Sequence, residues 1–243
     1  MPTDTKQRIL NACSITGLVT LIVTLLGWLV AGVLPLPLGP SHSTRSVVDF
    51  YSDGGALRMV GLVVAQLGIA FTIPLVTVIT IHLLRVEGRI PILAFVQMVA
   101  GTVAAMLLIL PMMLFAIIAF RPDALEPGTI RFMNDLAWLL FLTPIAPFMI
   151  QNISIGVCIL TNQQTVFPRW VGYANFWIAL SFVPDVLAYF FYSGPLAWNG
   201  VVIFWLALTT YAIFLVMMSL MTMRANRELV ASSSATVSNA VPA

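Results

Sequence analysis

Asp185 is the acidic residue that the sequence sets deepest in an apolar stretch. It stands within the run Val171–Tyr192, directly after Pro184. At the helical rise of ~1.5 Å per residue it lies roughly 10 Å inside the nearer end of that run. An ionisable group at such depth in a bilayer costs on the order of 2.5–3.5 kcal/mol on insertion scales and tends to mark a functional pathway. Two readings stay open. Asp185 is an acid/base or binding group, or it is structural: snorkelling outward, bonding a carbonyl freed by Pro184, or locking one helix to another.

A partner set enters at similar depth. Arg58 and Gln66 stand near one end of Leu57–Leu84, and Arg131 and Asp135 lead into Leu136–Leu160. Were those helices neighbours, Asp185 would face Arg58 or Arg131 across a small outward-opening polar pocket. Opposite charges there would hold each other ionised. Such a pocket suits a polar head group, a small solute or a proton, and equally a clasp between helices. A second polar layer comprises Gln97, Gln151, Asn152 and Asn175. Amides of this kind bridge helices for roughly 0.6–2 kcal/mol in membranes, or line a ligand site between them.

Other chemistries fall away. His42 and His82 are placed on opposite membrane faces, which leaves no paired-histidine haem site and no multi-histidine metal centre within one chain. The sequence holds no G-x-S-x-G, H-E-x-x-H or Walker loop. The last apolar run holds no lysine for a retinal Schiff base. Asp49 and Asp53 read as a solvated helix face, and Cys13 and Cys158 as small buried hydrophobes. No metal and no cofactor is expected.

The elements that must position these residues follow from composition. The chain has 243 residues, 60% hydrophobic and 8% charged, with a net charge of +2; its mean hydropathy is +1.02. Soluble domains average about 25% charged residues. So sparse a charge cannot cover a water-soluble globule, which excludes soluble enzymes, disulfide scaffolds, nucleic-acid binders and disordered chains. A bilayer core of ~30 Å needs about 20 apolar residues as helix. Six runs qualify: Ile15–Leu36, Leu57–Leu84, Ile92–Phe120, Leu136–Leu160, Val171–Tyr192 and Gly200–Met223. The third is long enough that it must tilt, kink or protrude, and Pro111 offers the kink.

The reading is an all-α polytopic transmembrane bundle of six spans, N-in and C-in. Lys6, Arg8, Arg85, Arg89, Arg169, Arg224 and Arg227 then face the cytoplasm, against Arg45, Arg58, Arg121 and Arg131 outside. Residues 1–14 form a cytoplasmic N-terminus, 15–223 the membrane domain and 224–243 a disordered cytoplasmic tail. The first run is longer than a signal-peptide core and is read as a retained span. In the loop after it, Ser46 and Asp49 fit a capping box and Gly54-Gly55 a stop, with Val47, Phe50 and Tyr51 on one side and Arg45, Asp49 and Asp53 on the other. That predicts a short helix lying in the outer interface.

Pro74, Pro111, Pro144, Pro147 and Pro184 fall within four consecutive spans, where proline frees carbonyls and bends helices. Trp28, Trp138, Trp170, Trp198, Tyr51, Tyr173 and Tyr192 stand near span ends as an interfacial belt. The pairs Gly27/Ala31 and Gly101/Ala105 allow close helix contact.

The segment Phe167-Pro168-Arg169-Trp170-Val171-Gly172-Tyr173 resembles the proline-arginine-tryptophan-x-glycine turn of a large group of uncharacterised bacterial six-span membrane proteins. Asn134-Asp135-Leu136-Ala137-Trp138 and Gly194-Pro195-Leu196-Ala197-Trp198-Asn199-Gly200 look like further features of such sequences. The resemblance implies a bacterial inner-membrane protein and brings no activity and no catalytic residues with it.

The function expected is binding or transport of a small or lipophilic molecule, or service as a subunit of a membrane complex. The alternatives are an intramembrane enzyme acting on lipid through Asp185, and a structural or sensory protein. The partners expected are the lipid bilayer, a small-molecule or lipid ligand, and a second copy or another membrane subunit; no nucleic acid is expected.

Overall fold

A computed structural model describes residues 3–163 and 166–239. Its helices are α1 (Thr3–Ala31), α2 (Thr44–Asp53), α3 (Gly55–Ala70), α4 (Thr72–Glu87), α5 (Ile92–Phe120), α6 (Pro127–Leu142), α7 (Ile145–Thr161), α8 (Arg169–Ser181) and α9 (Leu206–Asn239). Short 3₁₀ segments cover Pro122–Ala124 and Val183–Tyr189, and a π-turn covers Val201–Trp205. No strand occurs among the described residues. Six segments are long and apolar enough to cross a membrane: Thr5–Ala31, Gly55–Glu87, Ile92–Phe120, Pro127–Thr161, Arg169–Tyr189 and Val201–Leu229. The all-α bundle of six spans is therefore as the composition predicts.

Helix extends beyond the apolar runs at both termini. α1 is already helical at Thr3, within the stretch read as a cytoplasmic N-terminus, and it ends early, at Ala31. Gly32 stops it with φ +74°. Its N–H donates to Leu29 O at 3.1 Å and that of Val33 to Trp28 O at 2.9 Å, the paired bonds of a Schellman end. At the other terminus α9 continues past the last apolar run, to Asn239. Ala225 and Asn226 are buried there, so this turn packs in the bundle. Residues 240–243 of the expected tail lie outside the described residues.

Proline interrupts three of the spans. Pro74 has no N–H to offer Ala70 O, and α3 gives way to α4 at Phe71. Pro144 separates α6 from α7, with Thr143 N–H and Oγ1 both donating to Leu139 O at 3.0 and 2.6 Å. Pro184 ends α8, and the chain tightens into 3₁₀ bonding, Asp185 N–H donating to Phe182 O at 3.0 Å. Span five is thus not the continuous helix its hydropathy suggests. Pro111, by contrast, is carried inside α5 without a break.

α1 and α3 approach backbone to backbone. A Cβ on Gly27 would come 2.5 Å from Ala65 N, and one on Gly61 would collide with Ala31 N. Small residues permit this closeness, and close packing holds helices together where lipid supplies no hydrophobic drive.

The expected interfacial helix is α2, but its cap is Ser43, whose Oγ accepts from Ser46 N–H at 3.1 Å. Arg45, Asp49 and Asp53 face outward as predicted. Val47 and Tyr51 are turned into the protein rather than toward lipid, and the Tyr51 hydroxyl donates to Asn134 Oδ1 at 2.9 Å. Burial pushes the Tyr51 phenol well above its usual range, so it remains a donor. The aromatic belt is corrected similarly. Trp170, Tyr173 and Tyr192 are exposed, whereas Trp28, Trp138, Trp198 and Tyr51 are core residues. Two of these indoles have internal partners, Met112 Sδ for Trp28 at 3.3 Å and Leu38 O for Trp198 at 2.8 Å. Those partners remove the need for an interfacial setting.

Candidate functional site

A cavity of about 70 Å³ lies between the helices, and all six spans contribute to its lining. One water needs roughly 10–15 Å³ by this measure, so several would fit. Every interruption of a span falls at its wall. Ile69 lies in the last turn of α3; Leu142 and Ile145 flank the break between α6 and α7; Phe182 and Asp185 belong to the turn that replaces α8; Phe204 belongs to the π-turn. Irregular backbone at membrane depth is tolerated where it is buried in protein or lines a cavity, and π-turns concentrate at functional sites.

The wall is almost wholly apolar. Asp185 is its one ionisable carboxyl, 2% exposed, and its Oδ1 accepts no hydrogen bond among the described residues. Thr24 of α1 lines the same space, and its hydroxyl is likewise buried without a partner among the described residues. Unpaired buried polar atoms are uncommon in native proteins and call for water, an ion or a ligand to account for them.

Aromatic rings roof the cavity. Trp28 stacks on Phe204 at 5.9 Å and meets Phe141 edge-on at 5.4 Å. Both phenylalanines also touch Trp138, at 5.9 and 6.2 Å. Beyond this layer lies the Tyr51–Asn134 pair, in a smaller space of about 10 Å³. At the opposite wall the Tyr211 hydroxyl, Thr72 Oγ1 and Thr20 Oγ1 form a chain with spacings of 3.3 and 3.5 Å, joining α9, α4 and α1. These hydroxyls are satisfied by one another.

The polar pocket expected around Asp185 is not assembled. Arg58, Gln66, Arg131 and Asp135 contribute nothing to the cavity wall. Arg58 instead donates from Nε to Ala31 O at 2.9 Å, with its guanidinium 3.7 Å above the Phe50 ring. It caps the end of α1, where a cation complements the carbonyl dipoles. Arg131 pairs with Asp135 at 4.0 Å and donates to Thr44 Oγ1 at 3.1 Å. Asp135 also accepts from Asn134 Nδ2 at 3.2 Å. Gln66 is half-buried on α3. The charges that enter spans two and four therefore hold loop helix and span ends together.

The second polar layer is partly brought together. Gln97 donates to Thr80 Oγ1 at 2.6 Å and to Val76 O at 3.2 Å, and Gln151 reaches Gln97 Oε1 at 3.5 Å, tying α4, α5 and α7. Gly101 gives the Gln151 amide its room, since a Cβ there would meet Nε2 at 2.5 Å. Asn152 and Asn175 bond back to Phe148 O and Val171 O within their own helices, each at 2.8 Å.

A further cluster escapes sequence reasoning. His82 Nε2 and Asn226 Oδ1 stand 2.8 Å apart, while Asn226 Nδ2 donates to Asn11 Oδ1 and Ser14 Oγ, both at 3.0 Å. Because Asn226 accepts through Oδ1, His82 carries its proton on Nε2. The network clamps α4, α9 and α1 at the end of the bundle that bears both termini. No signal could pair these residues from the sequence, because Asn226 falls beyond the apolar run in what reads as a tail. Among the described residues no cluster of three or more His, Cys, Asp or Glu side chains could hold a metal.

Comparison of the chain with family models, with curated proteins and with solved structures finds no match.

Proposed function

We propose that this multi-pass membrane protein binds a small, largely apolar molecule in the cavity between its helices, with Asp185 as the polar anchor. One observation supports the reading above all: a 2%-exposed carboxyl whose Oδ1 has no partner among the described residues lines a space walled by apolar and aromatic side chains. A carboxyl retained only as a clasp would have a partner on another helix. Pockets for small molecules combine an apolar wall with a few polar groups that fix orientation. The membrane in this proposal is a bacterial inner membrane, with both termini on the cytoplasmic side. The motif around Arg169 and the basic residues at the terminal end favour that setting.

A second reading, passage of the ligand through the bundle, is favoured by a separate observation. The interruptions of spans two, four and five, and the π-turn that opens span six, lie at the cavity wall, and transporters place broken helices around a site near the midplane.

Photolabelling tests the binding reading. The purified protein in lipid nanodiscs is irradiated with a short diazirine-bearing alkane, and the labelled positions are read by mass spectrometry. Labels on Leu21, Leu25, Leu208 or Ala212, lost in Ala212→Phe, are expected. Labelling confined to outward residues such as Leu26 and Trp177 would overturn it.

A further inference from the structure

Resting on the binding reading above, we infer that the cavity ligand is a lipophilic amine, held as its ammonium ion by Asp185 and the surrounding aromatic rings. The argument begins with charge. Among the described residues the lining of the cavity includes no lysine, arginine or histidine to balance an Asp185 carboxylate there. Arg58 and Arg131, the basic residues that enter the bundle nearest to it in sequence depth, are engaged with Ala31 O, Thr44 and Asp135. A buried carboxylate is tolerated when it is paired and hydrogen-bonded, and a ligand cation would provide both.

The rings make the same case independently. Trp28, Phe141, Phe148, Phe182, Phe204 and Tyr211 all line the cavity. They are coupled to one another: Phe148 lies 5.3 Å from Phe182 and 5.8 Å from Tyr211, and Trp28 lies 5.9 Å from Phe204. Aromatic faces attract cations, most strongly where water is excluded, and cages of this kind recognise alkylated ammonium groups. An anionic ligand would meet the same faces and the same carboxyl with repulsion. A neutral hydrocarbon would leave Asp185 Oδ1 and Thr24 Oγ1 unpaired.

Hydrogen bonding narrows the class further. A primary ammonium offers three donors and no acceptor. The cavity presents Asp185 Oδ1 and the Thr24 hydroxyl as unpartnered acceptors on different spans. The space of about 70 Å³ suits a head group and its first carbons. The rest of the molecule must be apolar, because Leu21 and Leu25 of α1 and Leu208 and Ala212 of α9 form the half-exposed part of the wall.

The test compares 4-phenylbutylamine with 4-phenylbutanol, which match in shape and differ in charge at about pH 7. Binding to the wild-type protein in nanodiscs is followed by tryptophan fluorescence and by the unfolding midpoint. The amine is expected to bind about tenfold or more tightly than the alcohol. Its advantage should disappear in Asp185→Asn, and Ala212→Phe should weaken both probes. Equal binding of the two, both blocked by Ala212→Phe, would overturn the amine assignment while leaving a lipophile site standing. Binding of neither, or binding of both that no cavity substitution alters, would overturn the site itself. The wild-type comparison decides even if Asp185→Asn fails to fold.

Discussion

Asp185 Oδ1 and Thr24 Oγ1 line one cavity from different spans, and neither has a hydrogen-bond partner among the described residues. Elsewhere in the bundle most buried polar side chains are paired: Gln97 with Thr80, Tyr51 with Asn134, Asn226 with His82 and Asn11. Unpartnered atoms occur away from the cavity too, at Arg58 Nη1, His82 Nδ1, Asn152 Oδ1, Asn175 Oδ1 and Ser219 Oγ, so it is the shared cavity wall that sets Asp185 and Thr24 apart. The interruptions of the spans fall at the same wall.

Occluding the cavity should leave the fold intact. Ala212 is half-exposed at its wall, so Ala212→Phe adds apolar volume where there is space for it. Expression and the unfolding midpoint should stay close to wild type, within about 1 kcal/mol. Uptake of lipophilic probes should fall severalfold in a fluorescence titration.

The turn after Met223 should be structural. Asn226 is fully buried and bonds His82, Asn11 and Ser14. Truncation after Met223 strands those partners, each unsatisfied buried group costing about 1–3 kcal/mol. Thermal unfolding in detergent should show a clear drop. Truncation after Leu229, which keeps the network, should show a much smaller one.

The α1–α3 seam should not accept side chains. At Gly61 a Cβ would collide with Ala31 N of the facing helix. Backbone cannot give way as a flexible side chain does, so Gly61→Ala should destabilise by roughly 1–3 kcal/mol. Gly128, with open space around its Cα, serves as the neutral control for the same substitution in the same unfolding assay.

How much of this was legible beforehand depends on what each feature rests on. The six spans and the face pattern of α2 follow from hydropathy and periodicity, which are local. Asp185 stands out because a carboxylate in an apolar run is anomalous whatever surrounds it. Its neighbours are another matter. Arg58 and Arg131 share a depth with Asp185, but depth says nothing about azimuth, and both turn to helix ends and loop residues instead. Trp28 and Trp138 lie near span ends and so resemble belt residues. Only the fold reveals the ring packing around both and the Met112 Sδ acceptor of Trp28. Asn226 is polar in a polar stretch, and its burial depends on how far α9 continues past its apolar run. Long-range pairing, not composition, decides each of these.

The two arginines should now separate. Arg58 is engaged with Ala31 O and Phe50, so Arg58→Gln should lower the unfolding midpoint, by about 1–2 kcal/mol for a lost charged hydrogen bond. The Arg131–Asp135 pair is about 40% exposed on both sides and 4.0 Å apart. Pairs of that kind contribute between zero and about 1 kcal/mol, and the bond to Thr44 Oγ1 is only part-buried, so Arg131→Gln should cost less than Arg58→Gln. Neither change should alter binding of a lipophilic probe by more than its effect on folding.

The central claim is that Asp185 is kept for a ligand and not for the fold. Comparing the unfolding midpoint of the ligand-free wild type with that of Asp185→Leu in detergent tests it directly. A buried carboxyl with an unpaired oxygen is a liability of roughly 1–3 kcal/mol, so Asp185→Leu should unfold at a higher temperature while losing the binding of an amine probe. A lower midpoint for Asp185→Leu would mean that the carboxyl holds the bundle together, and would contradict the account.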